Sequence, residues 1–278
     1  MTSSQRSREW IENRPTRGLR WPDLPELWQH RELAAFLALR ELKARYKQAV
    51  FGAGWAVLQP LAGVVVFTIV FRRFAKVPSD GIPYPVFALA GLAVWSYASG
   101  SVTKATQILV TNAPLVTKVY FPRLIAPVAA VLPGLLDLLL SLLVLAVFAV
   151  AYHVHPTWAL ATLPLWLLLL VATVLGIGLW LGTLNVSYRD INQAITLLVQ
   201  LWMFITPVAY PSSVVPAGWR ALYFANPMAG VVEGSRWALV GTPWAGNDVF
   251  VSIAAAILLL VGGVAYFEHA ERRFADVI

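Results

Sequence analysis

The chain has 278 residues, of which 59% are hydrophobic and only 13% charged, with a mean hydropathy of +0.68. A soluble domain carries about 25% charged residues, so the polar skin of a soluble enzyme, a disordered regulator or a nucleic-acid-binding domain is missing. The composition is that of an integral membrane protein, and the +7 formal charge fits basic residues gathered on the cytoplasmic side of a bilayer. Cysteine is absent, which excludes a disulfide framework and thiolate metal or nucleophile chemistry.

Residues 1–50 form the only long polar stretch and hold 10 of the 21 Lys and Arg. No apolar leader precedes the first span, so residues 1–24 are expected to be a cytoplasmic tail. Residues 25–50 are expected to form an amphipathic interfacial helix. Trp28, Ala35, Leu39, Leu42 and Tyr46 share one face, and Arg40, Lys43 and Lys47 another. An apolar stripe beside a cationic one, directly before a span, suits the anionic membrane surface. Residues 51–278 then read as one all-α transmembrane domain. Six spans are predicted near 52–71, 85–103, 124–153, 158–187, 191–210 and 249–267. With six crossings, 16 of the 21 Lys and Arg fall on one side and five on the other, which places both termini in the cytoplasm. Arg72, Arg73 and Lys76 run against this rule and are either tolerated or functional. Residues 211–246 are broken by Pro211, Pro216, Pro227 and Pro243 yet rich in aromatics. Two short helices, near 217–223 and 230–239, are predicted to dip into the outer leaflet and pack on protein. The break between them falls at Asn226-Pro227, because the residue before proline avoids the helical region. An ordinary outer loop is the alternative.

The chemistry available to such a chain is sparse. No phosphate-binding loop of the G-x-x-x-x-G-K-[ST] type occurs, so the chain has no nucleotide engine of its own. Within the predicted spans Asp137 is the one well-embedded acid. It is either a proton or substrate site or, the favoured reading, a structural carboxylate bonded to a neighbouring helix. His153 and His155 stand two apart, a spacing that does not bring two rings together on a helix, and no metal site is expected. The loop 107–123 is bracketed by Pro114 and Pro122 and predicts a short amphipathic helix. Leu115, Val119 and Phe121 would form its apolar knob, flanked by Lys118 and Arg123. It would either dock into a groove on a partner or merely connect two spans.

Several spaced segments together resemble a known family. They are Arg40-Glu41-Leu42-Lys43-Ala44-Arg45-Tyr46-Lys47 followed by Gly52, Trp55 and Pro60; Val77-Pro78-Ser79-Asp80-Gly81-Ile82-Pro83-Tyr84-Pro85; Lys118-Val119-Tyr120-Phe121-Pro122-Arg123; Tyr188-Arg189-Asp190; and Asn226-Pro227-Met228. This pattern resembles the ABC-2 type permeases that export polysaccharides, the membrane subunits of O-antigen, teichoic-acid and galactan exporters. The resemblance implies a homodimer of six-span subunits in the bacterial inner membrane, served by two copies of a separate P-loop ATPase subunit. ATP and Mg²⁺ would be bound by that partner, with no cofactor in this chain. It implies that Arg40, Lys43 and Arg45, with Pro114, Lys118, Val119, Phe121, Pro122 and Arg123, receive the ATPase stroke. Asn226 and Pro227 would belong to external gate helices, and Asp137 would be structural. The implied cargo is a polyprenyl-pyrophosphate-linked polysaccharide, whose sugar faces could slide over Trp95, Tyr97, Trp180, Trp202 and Phe204. Lipid-facing or helix-packing roles are the alternative for those aromatics. Arg40, Arg45 and Lys47 suit the pyrophosphate and, equally, anionic lipid headgroups. Two other functions remain open at this point: the same fold with a lipid or drug-like cargo, and a membrane glycosyltransferase acting on polyprenyl phosphate.

Overall fold

A computed structural model describes residues 24–46, 54–114, 121–188 and 190–277, and all regular secondary structure among them is helical. The predicted tail, Lys47, Arg189, and residues 115–120 with Lys118 and Val119 lie outside the described residues. Two N-terminal helices, α1 (Leu24–Gln29) and α2 (Arg31–Tyr46), precede α3 (Gly54–Phe67), which loosens into a π-helical segment, Thr68–Phe74. Then come α4 (Tyr84–Thr111), α5 (Ile125–Ala151), a 3₁₀ turn at Trp158–Thr162, α6 (Leu163–Ser187) and α7 (Ile191–Phe204). Two shorter helices, α8 (Ala217–Phe224) and α9 (Pro227–Val240), lead into α10 (Val249–Val277).

Helix α4 is the interior helix although it is the least apolar of the five long ones described, since in a bilayer the more apolar helices can turn their faces to lipid. In its most apolar stretch 78% of residues are buried, against 17–28% in the other long apolar helices. Pro85, near its start, costs no backbone hydrogen bond there. Helices α3, α5, α6, α7 and α9 pack around it. With no hydrophobic drive between helices in lipid, close approach comes from small residues. A Cβ on Gly178 of α6 would lie 2.5 Å from the Ala105 Cβ of α4, and one on Gly263 of α10 would lie 2.6 Å from the Gly176 carbonyl oxygen of α6. Asn185 of α6 adds a bond from Nδ2 to the Thr106 carbonyl at 3.0 Å.

Among the described residues, five helices are long and apolar enough to cross a membrane: Val57–Phe74, Tyr84–Thr111, Ile125–Ala151, Trp158–Ser187 and Val249–Glu271. The fifth predicted span, near 191–210, differs. Its helix α7 has 14 residues, about 21 Å at 1.5 Å per residue, short of a hydrocarbon core of about 30 Å. Pro207 stops it: Thr206, as the residue before a proline, is pushed out of the helical region, and the chain turns through a Val208 N–H bond to the Thr206 carbonyl. In contrast α4 runs past its predicted end near 103, because the polar groups there find partners. Lys104 meets Glu41, and Gln107 Nε2 donates to Asn192 Oδ1 at 2.6 Å. Helix α10 likewise continues well past Phe267, with Phe274 buried against Phe267.

Candidate functional site

The chemistry gathers at the two ends of the bundle and along α7 between them. At the end bearing Lys104 and Arg123, α2 lies against the start of α5 and buries Leu37 and Ala38. The predicted stripe is the other face: Trp28 and Leu39 are exposed, as is Phe36. The helix has two apolar sides, and the bundle takes the one whose small Ala34 and Ala38 allow close approach. Glu41 pairs with Lys104 Nζ at 2.7 Å, and Arg40 Nη2 donates to Asn112 Oδ1 at 2.5 Å. Between them lies a cavity of about 280 Å³, rimmed by Arg40, Glu41, Lys104 and Asn112 and floored by Leu37 and Ala126. Lys43 is exposed on the same helix, and Arg45 is carried on its last turn.

The loop after α4 is described only at its edges. Pro114 is exposed, but Phe121 is not the solvent-facing knob the sequence predicts. It is 4% exposed, packed among Leu37, Leu109 and Leu124. An aromatic ring that can reach a core between α2, α4 and α5 gains more there than in water. Arg123 is engaged by α10: Nη1 donates to the Glu271 carbonyl at 2.5 Å, and the guanidinium sits 6.0 Å from the Phe274 ring centre. Pro122 is half-buried between them.

Along α7, Ile195 faces the core while Leu197, Leu198, Leu201, Phe204 and Ile205 are exposed. An apolar groove of about 340 Å³ runs between α4, α6 and α7, lined by Val102, Ile177, Leu181, Leu198, Leu201 and Trp202 among others. Of the five aromatics singled out from sequence, two meet: Trp95 and Trp202 pack edge to face at 5.3 Å. Tyr97 is buried in the α4–α5 seam beside Gly134. Trp180 stacks on Tyr266 at 4.7 Å and donates to the Leu259 carbonyl, in the α6–α10 seam. Phe204 lies on the exposed face of α7. Asp137 is half-buried on α5, and its backbone carbonyl accepts from Ser141 Oγ.

At the opposite end, α8 and α9 closely match the two predicted short helices. Asn226 does more than break them. Its Oδ1 caps α9 by accepting the Met228 N–H at 3.1 Å and also accepts Trp202 Nε1 at 3.0 Å. Its Nδ2 donates to the Ile205 carbonyl and to Thr206 Oγ1. Pro227 opens α9, where its missing N–H costs nothing. Tyr223 Oη donates to Tyr210 Oη at 3.2 Å, and burial pushes the Tyr223 phenol well above its ordinary pKa, so it stays protonated.

Sequence reasoning missed the pair Glu233 and Arg236. Arg236 falls among the five basic residues that the sequence assigns to the outer surface, yet its side chain is 0% exposed, with Glu233 3.5 Å away. Its Nη2 donates to the Pro207 and Val208 carbonyls at 2.8 and 3.0 Å, and its guanidinium lies 3.8 Å from the Phe87 ring centre. Glu233 Oε1 accepts the Ser212 N–H at 2.7 Å. The bundle is therefore not bare of embedded charge. An acid and a base three apart on a Gly-, Ala- and Val-rich helix are the signal that could have found them. Among the described residues no group of three His, Asp or Glu could hold a metal ion.

Residues 32–240 match the family described as ABC-2 type transporter. The chain is 32% identical over 260 residues to an O-antigen export system permease protein RfbA of Myxococcus xanthus, covering 91% of this chain and 98% of that protein. It is 27% identical over 249 residues to a protein of the same name in Klebsiella pneumoniae, covering 89% and 95%. It is 26% identical over 210 residues to the polysialic acid transport protein KpsM of Escherichia coli, covering 73% and 80%.

Proposed function

The chain belongs to the ABC-2 type transporter family, and from that premise we propose that it is the membrane subunit of an ATP-driven polysaccharide exporter. The observation that carries this reading is the 32% identity that runs through 98% of an O-antigen export permease. The cargo is a polysaccharide held on polyprenyl pyrophosphate, moved from the cytoplasm across the bacterial inner membrane. Two copies of this chain enclose the path, and two ATPase subunits, carrying ATP and Mg²⁺, drive it from the cytoplasm.

In this reading the Lys104 end is cytoplasmic, together with both termini, and α7 completes a sixth crossing despite its length. Its support is a pair of contacts. Ile191 begins beside Asn192, which is bonded to Gln107 near one end of α4, and Ala209 is bonded to Tyr84 at the other. The segment 191–209 thus covers most of the height of α4. The α8–α9 pair re-enters the outer leaflet, supported by its close contacts: Gly234 lies against Trp166 at the start of α6, and Gly230 against Ser252 near the start of α10. Its buried backbone is satisfied within the short helices, as lipid requires. The exposed Trp28 of α1 and Phe36 and Leu39 of α2 rest in the headgroup layer, with Arg40 and Lys43 at the level of lipid phosphate. The ATPase stroke arrives through α2 and the loop 114–123. Trp202, which lines the α7 groove, is the aromatic best placed to face a sliding glycan, with Trp95 behind it.

Mild-detergent purification of the tagged chain from its native host tests the reading. A P-loop ATPase is expected to co-purify in equal amount; a complex-free chain, from membranes where its neighbouring gene products are expressed, contradicts it.

A further inference from the structure

Two side chains one turn apart on α9 hold the same piece of backbone. Arg236 binds the carbonyls of Pro207 and Val208, and Glu233 binds the N–H of Ser212. Tyr84 holds the Ala209 carbonyl between them at 2.8 Å. At the N-cap of the same helix, Asn226 holds Ile205 and Thr206, and receives Trp202 from α7. The turn that ends α7 is therefore bound at intervals from Ile205 to Ser212, chiefly from α9 and its cap, with Tyr84 of α4 and Tyr223 of α8 adding one bond each.

These bonds are costly to arrange. An arginine and a glutamate at 0% and 4% side-chain exposure have given up their hydration, which their attraction alone does not recover. Replacing such a pair with apolar groups of similar volume is often neutral for stability. What an apolar pair could not do is grip three backbone groups of a turn that has lost its helical bonds at Pro207. The surroundings are built to the pair as well: Phe87 offers its ring face to the guanidinium, and Gly91 leaves the space that Nη2 fills.

We propose that Glu233 and Arg236 are positioning residues that latch α9 to the outer end of α7, so that gate and path wall move as one body. The proposal rests on the reading of α8–α9 as the outer closure of the path. A stroke that displaces α7 then carries the closure with it, and α9 does not swing free of the turn. The latch holds no cargo itself; it sets where the closure stands relative to Trp202 and the groove.

The natural chain has no cysteine, so a single Ala209→Cys gives a unique thiol in the latched turn, at a residue 7% exposed. The substitution leaves the carbonyl that Tyr84 binds. The test compares the labelling rate of this thiol by a membrane-impermeant maleimide, added outside cells, with and without the paired change Glu233→Met and Arg236→Met. We expect the paired variant to insert normally and to label at least about tenfold faster, since even one lost bond to a charged group permits that change. Surface glycan is expected to fall in the same cells. An unchanged labelling rate in an inserted paired variant overturns the latch. Faster labelling with undiminished surface glycan overturns its role in transport. Should the paired variant fail to insert, Arg236→Lys decides: it keeps the charge beside Glu233 but not the fork onto two carbonyls, and must raise labelling, or the latch is refuted. The labelling rate is independent of cargo, so failure of the polysaccharide reading would show as absent glycan dependence in every strain, with the latch still measurable.

Discussion

Gly91 is one of the residues whose neighbours explain it fully. A Cβ there would stand 2.5 Å from Arg236 Nη2 and 2.8 Å from the Val208 carbonyl oxygen, and the second of these is backbone that cannot step aside. Gly91→Ala is therefore expected to destabilise the protein by about 1–3 kcal/mol through overpacking, read as a lower melting temperature in detergent; unchanged melting would mean that the turn is not held where it stands. Nothing at position 91 announces this in the sequence, since a glycine in an apolar run reads only as a small packing residue. Arg236 was hidden for a related reason. The prolines around it break hydropathy into short pieces, and a charge between such pieces is naturally assigned to the surface. Asn226 was half legible: the Asn-Pro break followed from the geometry before proline, while its bonds to Trp202, Ile205 and Thr206 depend on how α7 packs, which no local pattern records.

Among the elements, the long apolar runs declared themselves, and α5, α6 and the two short helices lie close to where periodicity and prolines put them. The exceptions have physical causes. Hydropathy stays high through Pro207, so α7 looked longer than the backbone allows. Helix α2 carries two apolar faces, and only the position of α5 decides which is covered. The loop 107–123 mixes both situations: Phe121 turns inward, while Val119 lies outside the described residues. The two therefore test different things. Phe121→Ala is expected to cost about 3–5 kcal/mol as a core truncation, seen as loss of monodisperse protein on detergent extraction. Val119→Asp is expected to leave the protein folded and to abolish export through loss of ATPase docking. Full export by the Val119 variant would remove this loop from the coupling surface, and a fully stable Phe121 variant would contradict its burial.

At the scale of the whole molecule, low charge was the first clue to a membrane, and the structure refines how that charge is used. Among the described residues, Lys104 and Arg123 at one end of the bundle are tied to Glu41 and Glu271, which fastens α2 to α4 and the start of α5 to α10. Arg236 is held deep inside, on the turn that follows α7. Family membership was legible because several spaced segments agreed at once, and the match over 32–240 bears that out. The central claim is that this chain exports a lipid-linked polysaccharide, and depletion of the chain from its host tests it most directly. Surface glycan and the undecorated lipid-linked precursor on the cytoplasmic face would be quantified together as the protein disappears. The account predicts that surface glycan is lost while the precursor accumulates; surface glycan that persists, or is lost with no build-up of precursor, would contradict it.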